Sequence, residues 1–280
     1  NHMMPLFHTV SRSCSKIMAS KYSTSFNSAI QLLHPAVRPH IFSIYGFVRL
    51  ADEIVDSFHT NNKQELLEQC KQQTFYAIDT GISLNPVLNS FQLTVNEFKI
   101  DKDLIHSFFE SMELDLHHHT YNTEGYHKYI YGSAEVVGLM CLTVFCDGNT
   151  ALYNQLKPGA CALAAAFQKV NFLRDMKADY EILGRSYFPG VNFLHFTELD
   201  KNKIEADISH DFTAAYQSIR QLPASSRFAV TVAYRYYLSL FKKIKKTKAT
   251  ELIQKRVRVS NFGKFFILLR TGLYNGVHFN

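Results

Sequence analysis

Apolar residues recur along this chain at intervals of three and four rather than alternating. The pattern is clearest from Tyr126 to Phe145, Gly159 to Tyr180 and Ser225 to Lys246. That is the period of a helix with one buried face. Pro158 and Pro223 each stand ahead of a run containing alanines, and Asp101 opens DKDLIHSFFESMELDL. Both arrangements are helix-start signals. The pattern predicts an all-α fold. Among 280 residues only 12 are Gly and 7 Pro, and no Pro-rich, Gly/Ser-rich or low-complexity stretch marks a linker. With 46% hydrophobic residues the chain can bury a large core. It therefore reads as a single helical domain over residues 4–280, with residues 1–3 (Asn-His-Met) as an expression-tag remnant.

Two of the predicted helices carry the same unusual feature. Asp52 and Asp56 stand four residues apart in RLADEIVDSF, and Asp175 and Asp179 do so in NFLRDMKADY. On a helix this spacing stacks both carboxylates on one face, where their repulsion costs about 0.2–0.5 kcal/mol in water and more where water is excluded. Gln168, Asn171, Asp175 and Asp179 fall in one narrow strip bordered by Phe and Ala, while Lys169 and Lys177 point elsewhere. Tyr45, Arg49, Asp52 and Asp56 share a broader strip with Gly46, Glu53 and Ser57. Each pair alone is more often a solvated face. Together, with an Arg, an Asn and a Gln on the same faces, they read as a site.

Oxygen-only ligands suit a hard divalent ion such as magnesium, and magnesium suggests a phosphorylated substrate. Were the two helices to face each other, four carboxylates could hold two or three magnesium ions, with manganese as a substitute, against a diphosphate. Arg49, Arg174 and a basic residue from the C-terminal part would grip the remaining phosphate charge. Diphosphate leaving in a water-poor cavity allows a carbon–oxygen bond to ionise to an allylic cation. The 23 Phe and 15 Tyr could wall such a cavity. Tyr131, Gly132, Ser133, Ala134 and Gly138 would leave a slot for a hydrocarbon, tight helix packing being the equal alternative.

Charge and cysteine content narrow the setting. Five cysteines without a CxxC do not make a disulfide framework, which favours a reducing cytosol. No stretch reads as a signal peptide or as the ~18 apolar residues of a membrane span. Between Lys242 and Arg270 ten basic residues face Glu251 alone, although the whole chain is only +6. A solvated lysine face is the commonest reason for such a run, attraction to anionic lipid at the inner face of a membrane the next, and nucleic-acid binding the weakest. The run His117, His118, His119 reads as a solvated helix end rather than a metal site, because consecutive helical residues cannot all face one ion. Asp115 fits either the edge of a site or a helix end.

The blocks SFNSAIQLL, IYGFVRLADEIVD, MELDL, YIYGSAEVVGLM, FQKVNFLRDMKADY followed by GRSYFP, and KRVRVSNFGK stand in the order of the squalene/phytoene synthase family. The chain resembles that family over nearly its whole length. The resemblance implies an isoprenoid-synthase fold and a magnesium-dependent prenyltransferase that joins two allylic prenyl diphosphates head to head through a cyclopropylcarbinyl diphosphate. Carried over, Asp52, Asp56, Asp175 and Asp179 hold metal with Asn171. The substrate contacts are Arg49, Gln168, Arg174, Tyr237, Arg256, Val137, Gly138 and the stretch Tyr22, Ser23, Ser25 and Phe26. Tyr45 and Tyr131 sit near the reacting carbons, so that Tyr45, Arg49, Asp52, Tyr131 and Asp175 are the catalytic candidates.

Three departures stand out. Glu135 replaces a common Gly, Glu53 replaces a common second Asp, and the membrane anchor of eukaryotic squalene synthases is missing. VVGLM and MELDL resemble the phytoene branch, bacterial phytoene synthase above all. This implies two geranylgeranyl diphosphates as substrates, phytoene for carotenoid biosynthesis as product, and no use of NADPH. The alternatives are a squalene or dehydrosqualene synthase acting on farnesyl diphosphate, and a non-catalytic assembly factor of the same fold. Such factors have lost the acidic residues, whereas all four outer aspartates remain here.

Overall fold

Helices form where the apolar period runs, and polar caps decide where they begin. A computed structural model describes residues 3–117, 119–260, 264, 267, 268 and 271. Helices α1 (Met3–Tyr22) and α2 (Thr24–Gln31) are parted at Ser23, whose Oγ accepts from the Phe26 N–H and caps α2. After α3 (Arg38–Asp56), Asn62 caps α4 (Lys63–Thr80) and Asn85 caps α5 (Pro86–Phe98), with Pro86 where the first turn needs no N–H. Asp101 accepts from the Asp103 N–H ahead of α6 (Lys102–His117). Helix α7 (Thr123–Ile130) runs through a π-helical turn (Tyr131–Glu135) into α8 (Val136–Cys146).

The long α9 (Thr150–Leu183) departs from expectation, because Pro158 lies inside it rather than ahead of it. Asn149 starts the helix by accepting from the Leu152 N–H at 3.0 Å, and the helix absorbs the bond that Pro158 cannot donate. Thr197 and Asp200 form a capping box on α10 (Glu198–Ile219), Pro223 precedes α11 (Ala224–Lys246) as expected, and α12 (Ala249–Leu252) follows. Among the described residues no strand forms. A single bridge between Thr120 and Ser186 brings the segment after α9 beside the end of α6.

Packing starts from the aromatic centre of α3, α5 and α6. Phe47 is fully buried and stacks on Phe91 at 3.9 Å, with Phe108 and Phe109 around it. Each such ring contributes about 1.5–3 kcal/mol through burial. Thr123–Cys146 is also long and apolar enough to cross a membrane, at a mean hydropathy of 1.5, contrary to the sequence reading. Most of that surface is buried inside the protein, where α8 packs on both α3 and α9. The apolar length serves the core. Helices α3 and α9 thus share a neighbour and leave a space between them.

The π-helical turn has a steric reason of its own. At Gly132 a Cβ would stand 1.9 Å from Ser111 Oγ and 2.4 Å from Ser107 O on α6, so only glycine permits this approach. Gly132→Ala is expected to cost about 1–3 kcal/mol by overpacking and to lower the melting temperature by roughly 5 °C. Calorimetry checks this, and an unchanged melting temperature would show that α6 yields freely.

Candidate functional site

Between α3 and α9 lies a cavity of about 360 Å³. On α3 it is lined by Ile41, Tyr45, Val48, Arg49 and Asp52, and on α9 by Leu156, Gly159, Ala160, Leu163, Ala164, Phe167, Gln168 and Asn171. Both sets follow three- and four-residue spacing, so a single face of each helix supplies its wall. The deep part is apolar, with Val137, Gly138, Cys141 and Leu142 from α8. Gly138 matters for the width, since a Cβ there would meet Ala164 Cβ at 3.1 Å. Phe26, Tyr45, Phe167 and Tyr129 bring aromatic rings to the wall, each backed by further rings. Phe26 stands 5.2 Å from Tyr45 and 5.8 Å from Tyr237, which stacks on Phe167 at 4.1 Å. Behind Tyr129 lies Tyr187 at 5.1 Å, and Phe172 stacks on Tyr187 at 4.0 Å.

Polar residues gather at one end, where the strips on α3 and α9 run past the cavity. Asp52, Arg49, Gln168 and Asn171 line its wall, while Asp56, Asp175 and Asp179 continue beyond it. Gln168 Nε2 donates to Ser133 Oγ at 3.2 Å, and the Tyr237 hydroxyl donates to Asn171 Oδ1 at 3.2 Å. Arg49 pairs with Glu53, stands 3.9 Å from Asp52 and lies over the Tyr22 ring at 4.2 Å. Its Nε is buried without a hydrogen-bond partner. Arg174 grips Asp175 with two bonds of 3.0 and 2.6 Å, and the exposed Arg256 adds a third at 2.8 Å.

The sequence reading did not single out Arg185. This buried side chain bonds Asp56 Oδ1 at 2.8 Å through Nη1 and the Asp115 carbonyl at 3.2 Å through Nη2. Asp115, 6% exposed, also accepts from the Tyr129 hydroxyl at 2.6 Å and the Tyr187 hydroxyl at 3.3 Å. Its two open sequence readings resolve toward the site. The available signal was GRSYFP, where a basic residue follows the Gly184 helix stop directly after the second acidic helix.

Electrostatics tie these groups together. Burial, followed by the charge of Asp56, lifts the Asp52 carboxyl to about 8, against the pull of Arg49. A third of the Asp52 side chain still meets solvent, which tempers the effect without reversing it. Burial and then Asp175 lift Asp179 to about 7, with Asp56 and Asp115 adding to the rise. The charge of Asp56 on α3 reaches Asp179 on α9, so the two acidic helices converge. Burial raises Asp115 to about 6 while Arg185 holds it down. Six carboxylates (Asp52, Glu53, Asp56, Asp115, Asp175 and Asp179) thus face four guanidinium groups, those of Arg49, Arg174, Arg185 and Arg256.

Several candidates fall elsewhere. Tyr131 does not reach the cavity. It is 37% exposed, and its hydroxyl feels Cys161, Glu135 and Asp101. Two residues on a helix are about 200° apart, so Tyr129 lines the cavity and Tyr131 faces away. Tyr22 and Ser23 line the cavity, whereas Ser25 does not. Glu135 also leaves the cavity free, its carboxyl lying toward Lys169 and Asp211. His117 is exposed and bonds Gln64 at 2.8 Å. His118, Arg270 and residues 261–263 of KRVRVSNFGK lie outside the described residues.

The pattern of the squalene/phytoene synthase family matches residues 19–263. Phytoene synthase of Arthrospira platensis is 27% identical over 91% of this chain and 90% of its own length. The 4,4'-diapophytoene synthase of Staphylococcus haemolyticus is 26% identical over 69% of this chain and 67% of its own. A crystal structure of a dehydrosqualene synthase in complex with ligand superposes with a TM-score of 0.82 over 96% of this chain and 98% of that one, at 19% identity, a likeness of fold. The chain belongs to the squalene/phytoene synthase family, whose members are prenyl-transferring enzymes.

Proposed function

We propose that the protein joins two geranylgeranyl diphosphates head to head, first to a cyclopropylcarbinyl diphosphate and then to phytoene, releasing one diphosphate and one proton at each stage. The observation that carries this reading is an apolar cavity whose polar end alone holds charged and amide side chains. A prenyl diphosphate has the same polarity, a long hydrocarbon behind a dense anion. A second reading, two farnesyl diphosphates giving dehydrosqualene, draws support from the 4,4'-diapophytoene synthase relative and the dehydrosqualene synthase fold.

The donor set at the mouth fits magnesium. Its ligands are all oxygens, and the excess of carboxylates over guanidinium groups leaves charge that a divalent ion neutralises. Among the described residues no three Asp, Glu, His or Cys side chains already converge on one point, and Arg174, Arg256 and Arg185 cover Asp175 and Asp56. Held by Asp52, Asp56, Asp175 and Asp179 with Asn171, magnesium would supply charge neutralisation to a departing diphosphate.

The protein's own groups supply the rest. Arg49, with an unpartnered buried Nε, and Arg174 offer donors to phosphate oxygens. The apolar wall of Val137, Gly138 and Leu142 keeps water from a carbocation. The Tyr129 hydroxyl donates a hydrogen bond to Asp115, so its oxygen lone pairs remain available to a positive charge.

Mass analysis of the hydrocarbon formed from each substrate, with and without NADPH, tests the reaction. Phytoene from geranylgeranyl diphosphate alone is expected, with no change on adding NADPH and no diphosphate release in the presence of a chelator. A product only from farnesyl diphosphate would select the second reading. Asp52→Asn or Asp175→Asn should lower turnover at least about a hundredfold with the fold retained. Tyr129→Phe should slow turnover well beyond Tyr131→Phe, and the reverse order would return the role to Tyr131.

Stability should follow the raised carboxyls. Asp52 and Asp179 titrate near 8 and 7 in the folded protein but near 4 when unfolded. The stability they contribute is fully present below pH 4 and is lost as pH rises through 7 to 8. The melting temperature of the metal-free protein should therefore fall between about pH 5 and pH 8, Asp52→Asn should flatten that decline, and magnesium at pH 8 should raise it. Scanning calorimetry across pH with chelator or magnesium decides, and a flat profile would remove the charge excess from the account.

A further inference from the structure

One end of the molecule carries a surface that the reaction does not use. Lys201 Nζ, buried against Glu205, donates to the Lys245 carbonyl at 3.3 Å, and Glu198 Oε1 accepts from the Ala249 N–H at 2.6 Å. These bonds tie the first turn of α10 to the junction of α11 and α12. Leu199, within that turn, therefore lies near the basic run, and Leu194 precedes it by five residues along the chain, each 64% exposed. Lys203, Lys242, Lys246 and Lys248 are exposed there too, and among the described residues none of them has a carboxylate within ion-pair distance. The nearby acids are already committed, Glu198 to the Ala249 N–H, Glu205 to Lys201, Asp200 to Thr197 and Glu251 to Lys255.

The surface adjoins the mouth of the site. Lys177 Nζ donates to the Gln254 carbonyl at 3.3 Å, and Arg256 Nε reaches Asp175 at 2.8 Å, so the strand of chain leaving α12 runs from the lysines to the acidic cluster. Unpaired cations beside solvated leucines match an interface that is anionic outside and apolar beneath. A nucleic acid would use the lysines and leave Leu194 and Leu199 in water.

We propose that this end docks on an anionic lipid surface, with the lysines against head-group phosphates and Leu194 and Leu199 entering the interface. A reason for such docking, discharge of a hydrocarbon product, rests on the proposed reaction; the docking itself does not.

Flotation of the full chain with vesicles tests it, using phosphatidylglycerol mixed with phosphatidylcholine against phosphatidylcholine alone. Binding to the anionic vesicles only is expected, weakening at least about tenfold when salt is raised. Lys242→Glu/Lys246→Glu/Lys248→Glu should reduce partitioning about a hundredfold, and Leu194→Ser/Leu199→Ser should reduce it several-fold with charge unchanged. Both variants should keep the wild-type melting temperature and turnover in detergent, which excludes misfolding. Equal flotation with neutral vesicles, no flotation at all, or a charge variant that floats like the wild type would overturn the proposal. So would a leucine variant that floats normally while the wild type binds duplex DNA as tightly as vesicles, because the surface would then be a general polyanion site. An enzyme inactive on every prenyl diphosphate that still floats would sink the reaction and leave the docking standing.

Discussion

Arg185 bridges two carboxylates that would otherwise repel across the end of a greasy cavity. It bonds Asp56 from α3 and the Asp115 carbonyl from the end of α6, and it enters through the segment that follows α9. Three separate parts of the chain are therefore registered by one buried guanidinium. Asp115 is in turn satisfied by Tyr129 and Tyr187, so the wall of the cavity and the acidic mouth share a hydrogen-bond network. A buried arginine with paired acids is costly to break, since removing one partner strands the other charge away from water. The geometry of the mouth depends on this link more than on any single aspartate.

The network leaves a charge imbalance in place. Guanidinium groups cover Asp56 and Asp175, while Asp52 and Asp179 are held above the usual carboxylate range by burial and by their neighbours. A fold selected only for stability would remove such repulsion. Such repulsion beside an apolar cavity supports the proposed binding of a cation together with an anion-headed hydrocarbon, because that pairing would settle both the charge and the shape. Glu53 takes part by holding Arg49 at the rim, so the departure from a second Asp changes the partner of an arginine rather than the pattern of outer acids.

Apolar packing sets the scale of the cavity. Close approaches at Gly138 on Ala164 and at Gly132 on Ser111 bring α8 and the π-helical turn near their neighbours, while the cavity lies between facing residues of α3 and α9. The lining rings Phe26, Tyr45 and Phe167 pack with Tyr237, and the lining ring Tyr129 packs with Tyr187, which stacks on Phe172. Rings that are satisfied by one another can line an open space without collapsing into it.

The amino-acid order by itself determined the helical class, the starts of α6 and α11, and the alignment of Gln168, Asn171, Asp175 and Asp179, because these follow from local period and capping. It did not determine that Pro158 would lie within α9, since the Asn149 cap and the packing of α9 outweigh one missing hydrogen bond. Nor did it separate Tyr129 from Tyr131, two residues of one helix whose facing depends on where α9 lies. Asp115 stayed open and Arg185 unmarked for a related reason. A side chain that pairs across sequence distances of 70 residues for Asp115 and 129 for Asp56 leaves no periodic trace, and only the assembled helices decide which charges meet.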